Sequence, residues 1–94
     1  MLHELHVYHD ADARSAAMNM AVDEALLEFA REPSLRFYGW RQASLSFGYF
    51  GSFKSVAGHQ PHREIVRRWT GGGTVFHGGD LTYSLILPAG DAGA

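Results

Sequence analysis

Two hydrophobic periods follow one another along this chain, and Pro33 marks the change. Before it, Met18, Ala21, Val22, Ala25, Leu26 and Phe29 recur at the three- and four-residue intervals of a single apolar stripe on a helix. Asp12 or Ser15 can cap the start of that helix, and Pro33 forbids its continuation. The stripe predicts the buried face. Asn19 and Asp23, four residues apart, fall together away from it and are expected on a solvated face. Leu5–His9 ahead of the helix suits a short first strand. Beyond Pro33 the period becomes two, and Leu35–Trp40, Ser44–Tyr49, Glu64–Trp69, Thr74–His77 and Leu81–Leu87 read as strands. Arg41–Ala43 is short enough for a hairpin connection, and Gly78-Gly79-Asp80 predicts a tight turn between the last two strands. Phe53–Arg63 is polar and irregular, with room for a helical turn at most.

The sum is an α+β layout: one first amphipathic helix and a mixed, mostly antiparallel sheet. One helix covers only part of one face of a five- or six-stranded sheet. The expectation is therefore that residues 1–94 are the N-terminal portion of a single larger domain, ending in a short small-residue tail from Ala89 to Ala94.

Composition narrows the function classes. The chain has 94 residues, 46% hydrophobic and 19% charged, values of a globular protein. There is no cysteine, hence no disulfide framework and no thiol nucleophile within these residues. No apolar run approaches the ~20 residues that span a bilayer, and MLHELHVYHD lacks a signal peptide's basic start and apolar stretch. A cytoplasmic protein is expected. A net charge of −2 argues against a general nucleic-acid or membrane-surface binder. Lys54 is the only lysine, and the other seven basic residues are arginines, the residue suited to planar anions. His3, His6 and His9 would not share a face in an extended segment, so no metal site is expected there.

The segment with chemistry is Arg67-Arg68-Trp69-Thr70-Gly71-Gly72-Gly73-Thr74-Val75-Phe76-His77. Consecutive glycines between strands tolerate positive φ and let a ligand meet bare backbone. Their N–H groups can converge on an anion, and a neighbouring arginine adds a fork for phosphate or carboxylate. Arg67 and Arg68 are adjacent on a strand and should point to opposite faces, so at most one enters a given pocket. The pattern matches neither the Walker loop nor the dinucleotide-binding glycine fingerprint, because no helix follows. A GGG turn is also an ordinary hairpin loop, and the pattern alone does not decide between the two.

RRWTGGGTVFH followed by GGDLTYSLI closely resembles the signature of the lipoate–protein ligase A family, within the biotin and lipoate protein ligase superfamily. Met18-Asn19-Met20-Ala21-Val22-Asp23-Glu24-Ala25 is similar to that family's first-helix segment. Phe37-Tyr38-Gly39-Trp40-Arg41 and Leu45-Ser46-Phe47-Gly48 resemble its next two strands. The resemblance spans Met18 to about Ile86 and implies a fold like the biotin protein ligase catalytic domain.

It also implies a reaction. ATP, with Mg²⁺, activates lipoate (or octanoate) to an acyl-adenylate. The acyl group then passes to a lysine on a carrier domain of a 2-oxoacid dehydrogenase complex or the glycine-cleavage system. By resemblance, Arg68 contacts the ligand, and Gly71, Gly72, Gly73, Thr74, Val75 and Phe76 line the adenylate and acyl chain. Trp40 and Gly48 fall on the acyl tunnel wall, and His77 is the motif histidine, expected to be structural. From the residues themselves, Trp40, Phe47, Val75 and Phe76 could line an apolar slot. Gly78 stands where some members have aspartate, with Asp80 two residues on. The family's essential lysine lies downstream of the glycine motif, beyond residue 94, and Lys54 precedes the motif. The alternatives are an octanoyl or lipoyl transferase, which needs no ATP and uses a downstream cysteine, or a non-catalytic half of a two-chain ligase.

Overall fold

The computed structural model describes residues 5–88; His3, Gly90, Gly93 and the rest of the tail lie outside them. Strand β1 (His6–His9) is followed by helix α1 (Ala16–Phe29), β2 (Ser34–Tyr38) and β3 (Ser44–Phe47). Two 3₁₀ turns, Phe53–Ser55 and Ala57–His59, lead to β4 (Glu64–Arg67), β5 (Val75–His77) and β6 (Thr82–Ile86). The fold is α+β, and the strands divide into two three-stranded sheets, β1-β2-β6 and β4-β3-β5.

Each sheet is mixed. β1 runs parallel to β2 and β6 antiparallel to it; β4 runs parallel to β3 and β5 antiparallel to it. Neither expected hairpin forms. β2 and β3 belong to different sheets, as do β5 and β6, so Arg41–Ala43 and Gly78–Asp80 carry the chain between sheets. Period two identifies strands but not their partners, and a short connection suits a sheet change as well as a hairpin.

The helix begins where Ser15 accepts a hydrogen bond from the Met18 N–H. A Glu64 carboxylate oxygen accepts from the Ala16 N–H at 2.8 Å, placing negative charge at the positive end of the helix dipole. The face that α1 buries is not the apolar stripe. Ala16, Asn19, Met20 and Asp23 are buried, whereas Met18 and Phe29 of the stripe are 49% and 72% exposed. Asn19 and Asp23 were expected in solvent, and the reason for their burial is Arg36. Its guanidinium is fully buried; it donates to Asp23 Oδ1 at 2.9 Å, to Asn19 Oδ1 at 2.8 Å and to Asp10 Oδ2 at 2.7 Å. A buried cation must be paired, and the polar pair on α1 supplies the partners.

Two small apolar clusters complete the core. Ala16, Met20, Tyr38 and Trp40 pack with Val66; Leu45, Phe47 and Val56 pack with Ile65. The outer row of the first sheet is open, with Val7, Tyr83 and Leu85 exposed. Among the described residues no helix is long and apolar enough to cross a membrane.

Candidate functional site

Between α1, the first sheet and the segment that follows β4 lies a cleft of about 190 Å³. Met20, Leu27, Leu85 and Ile86 give it apolar walls, and Arg68, Trp69 and Thr70 close one side. Trp69 ties that side to the helix by donating its indole N–H to the Met20 carbonyl at 3.0 Å. On the far wall Asp23 Oδ2 accepts from the Ser84 hydroxyl at 2.8 Å and the Tyr38 hydroxyl at 3.3 Å. Burial pushes the Tyr38 phenol above its ordinary 10.0, and the nearby Asp23 carboxylate adds to this against the Ser84 and Arg36 contacts. Tyr38 is therefore a neutral donor there. A larger groove of about 580 Å³ runs along the outer stripe of α1, between Met18, Leu26, Phe29 and β1. It lies away from the arginine and the glycine turn. The smaller cleft combines apolar walls with convergent polar groups, which is the form of a ligand site.

Arg68 is the principal charge at the cleft. Its backbone N–H reaches the Phe47 carbonyl at 2.8 Å, continuing the pairing of β4 with β3. Its Nη1 donates to Ser46 Oγ at 2.8 Å, and its Nη2 donates to the Gly71 and Gly73 carbonyls at 3.1 and 2.6 Å. A guanidinium has five N–H donors. Three are committed, so Nε–H and the second Nη1–H have no acceptor among the described residues, and no carboxylate among them pairs with Arg68. Arg67 turns the other way, as the pleat requires. Its Nη1 donates to the Tyr49 and Gly51 carbonyls at 2.7 Å each, and its guanidinium lies over Phe47.

The glycine turn wraps the Arg68 side chain. Gly72 has φ +102°, in the region that favours glycine. A Cβ on Gly48 would run into the Gly72 backbone, so β3 and the turn can meet this closely only without a side chain there. His77 is buried, stacks on Trp40 at 4.0 Å and bonds Ser46 and Asp80. The residues expected at the site are thus partly gathered. Gly71, Gly72 and Gly73 surround Arg68; Gly48 supports the turn; His77 and Trp40 stand behind Ser46.

Others are not gathered. Val75 and Phe76 are 44% and 53% exposed, and Thr74 is exposed too. Phe76 lies under the Arg63 guanidinium instead. Trp40 and Phe47 belong to separate apolar clusters, so those two and Val75 and Phe76 do not share one slot. The cleft's own walls on α1 and β6 escaped sequence reasoning. The signal available was the polar run Arg36, Tyr38 and Ser84, at alternating positions of adjacent strands.

The chain matches the lipoyl protein ligase A/B catalytic domain over residues 15–94. It belongs to that family. It is 46% identical over 86 residues to "Octanoyltransferase LipM" of Bacillus subtilis (strain 168), covering 83% of this chain and 31% of that protein. The fold is similar to a lipoate–protein ligase A solved with ATP, with a TM-score of 0.68 at 29% identity, covering 90% of this chain and 36% of that one. It is also similar to a bipartite lipoate protein ligase from Thermoplasma acidophilum, with a TM-score of 0.63 at 30% identity, covering 90% and 35%. The chain spans about a third of the length of these lipoyl-ligase-family relatives.

Proposed function

We propose that this chain is the acyl-binding part of an enzyme that attaches an octanoyl or lipoyl group to a lysine of a lipoyl carrier domain. The observation that carries this reading is Arg68, with two uncommitted N–H groups at one side of a narrow apolar cleft. The cleft is smaller than the ~300–1,000 Å³ of drug-sized sites, which suits a slender aliphatic chain. Arg68 then meets the acyl carboxyl end. As an acyl carbon is attacked, negative charge grows on its oxygen, and a preorganised N–H donor stabilises that charge.

Within this reading we favour octanoyl transfer from a thioester, because identity to the octanoyltransferase is higher than to the ligases (46% against 29–30%). The donor's C–S bond breaks as the acyl group passes to an enzyme thiol. The carrier lysine then forms the amide, giving up a proton as the thiol is released. These 94 residues hold no cysteine, so the thiol belongs to a part of the enzyme outside them. The second reading is ligation, in which ATP and Mg²⁺ activate lipoate to lipoyl-AMP; the likeness to the ATP-bound ligase favours it.

The test uses the full-length protein and a purified lipoyl carrier domain. One arm supplies an octanoyl thioester without ATP; the other supplies octanoate or lipoate with ATP and Mg²⁺. Carrier acylation, read by intact mass, is expected in the first arm. Acylation in the second arm alone would establish ligation, and none in either would overturn the function.

A further inference from the structure

Ser46 on β3, His77 on β5 and Asp80 after it form a continuous hydrogen-bonded chain that ends on Arg68. Every proton in it can be placed. Arginine only donates, so Ser46 Oγ accepts from Arg68 Nη1 at 2.8 Å. The serine's own proton then goes to His77 Nε2, 2.9 Å away. That nitrogen must be bare, so the ring proton sits on Nδ1 and is donated to Asp80 Oδ2 at 2.9 Å. Asp80 is itself fixed. It accepts from the Gly78 N–H at 2.7 Å and from the Thr82 hydroxyl at 3.1 Å. The Thr82 hydroxyl receives the Trp40 indole N–H at 2.8 Å, which leaves its own proton for the carboxylate.

Burial makes the arrangement strict. Ser46 is 0% and His77 6% exposed, so water does not compete at the Ser46–His77 contact, while the Asp80 carboxylate closes the chain from the surface, 41% exposed. The Trp40 ring, stacked at 4.0 Å and 14°, holds the imidazole plane. Burial raises the Asp80 carboxyl, but the bonds from His77, Gly78 and Thr82 outweigh it and hold it below the ordinary carboxylate value.

We propose that Asp80, His77 and Ser46 are positioning residues for Arg68: Asp80 selects the Nδ1–H form of His77, which makes Ser46 an acceptor for the guanidinium. This rests on the reading of Arg68 as the group that meets the acyl carboxyl end. With the ring proton on Nε2 instead, Ser46 would face two donors, and its own proton would have no acceptor among the described residues. Ser46 Oγ has lone pairs for both donors, but its buried proton would be left unsatisfied, and the hydroxyl would shift to relieve it, weakening the contact that fixes Arg68 Nη1 and with it the aim of the two free N–H groups. The logic is that of a buried aspartate setting a histidine tautomer in a hydrolase triad, turned here to hold an arginine.

The experiment uses the full-length protein with ¹⁵N-labelled histidine. NMR reads which His77 nitrogen carries the proton, in wild type and in Asp80→Ala. Titration with octanoate and with octanamide gives the preference for the charged head over a neutral one of the same length. The wild type should show Nδ1–H. Asp80→Ala should move the proton toward Nε2 and cut the octanoate preference about tenfold, with octanamide affinity unchanged, a pattern that a merely structural loss would not give. Ser46→Ala should cut the preference similarly. An Nε2–H wild type, or an Asp80→Ala protein with its full preference, overturns the proposal. If Asp80→Ala does not fold, the wild-type tautomer decides alone. Equal binding of the two by the wild type also overturns the proposal, whereas a wild type that binds neither would instead defeat the acyl-site reading, so the two failures are distinct.

Discussion

Alanine at position 72 has to adopt a φ of +102°, where a Cβ meets the following backbone. A non-glycine residue in such a region costs about 1–3 kcal/mol. The new Cβ would also lie 3.2 Å from Arg68 Nη2. That nitrogen holds the Gly71 and Gly73 carbonyls, so moving it weakens a charge-assisted bond, a further loss of about 1 kcal/mol. Gly72→Ala should thus destabilise by about 2–4 kcal/mol. Gly73 is a different case, since its φ is not positive and an added Cβ meets nothing within 4 Å. There alanine restricts the unfolded chain and should stabilise by about 0.4–1 kcal/mol. Urea unfolding of the full-length protein, followed by far-UV circular dichroism, measures both. Equal midpoints for the two variants would refute the assignment of strain to Gly72, and with it the idea that the turn is shaped around Arg68.

Three further outcomes follow from the same contacts. Arg36→Met should destabilise by about 3–5 kcal/mol in the same unfolding assay, because it leaves the buried Asp23 carboxylate without its cation and takes from half-buried Asp10 the closer of its two arginines, Arg14 remaining at 3.1 Å. Asp10 and Asp80 both have depressed carboxyl values, for although burial raises them, hydrogen bonds from Arg36 and Arg14 to Asp10, and from His77, Gly78 and Thr82 to Asp80, outweigh it. Their contribution is present above the unfolded value of 3.8 and lost as pH falls through the lower folded value, so unfolding midpoints should be level from pH 7 to 5 and drop below about pH 4; a flat profile down to pH 2 would contradict this. Arg67→Ala should destabilise the Tyr49–Gly51 turn yet leave octanoate affinity intact, whereas Arg68→Ala should lower that affinity about tenfold or more, the scale of a lost charge-assisted bond; calorimetric titration separates them.

What was legible in the sequence was whatever depends on local pattern. The helix between Ser15 and Pro33 and all six strands follow from period, caps and breakers, whereas Phe53–Arg63, read as a loop with one helical turn at most, holds two 3₁₀ turns. The opposite directions of Arg67 and Arg68 follow from the pleat alone. Partnership was not legible. Both turns read as hairpins join different sheets, because nothing in a three-residue connection records which strand lies beside the next. The buried face of α1 was misjudged for a related reason. Apolar periodicity ranks Met18 and Phe29 above Asn19 and Asp23, and only Arg36, seventeen and thirteen residues further on, reverses the order. The glycine motif pointed to Arg68, but the cleft beside it is built by Leu27, Tyr38 and Ile86, residues whose roles appear only when α1, β2 and β6 are brought together.

The central claim is that Arg68 and the cleft between α1 and β6 receive an acyl chain, carboxyl end at the arginine. A crystal structure of the full-length protein with octanoate bound tests it most directly. The carboxylate is expected within hydrogen-bonding distance of Arg68 Nε and Nη1, with the chain lying along Met20, Leu27 and Ile86. Octanoate seated in the groove on the outer stripe of α1, or bound with Arg68 making no contact to it, would contradict the claim.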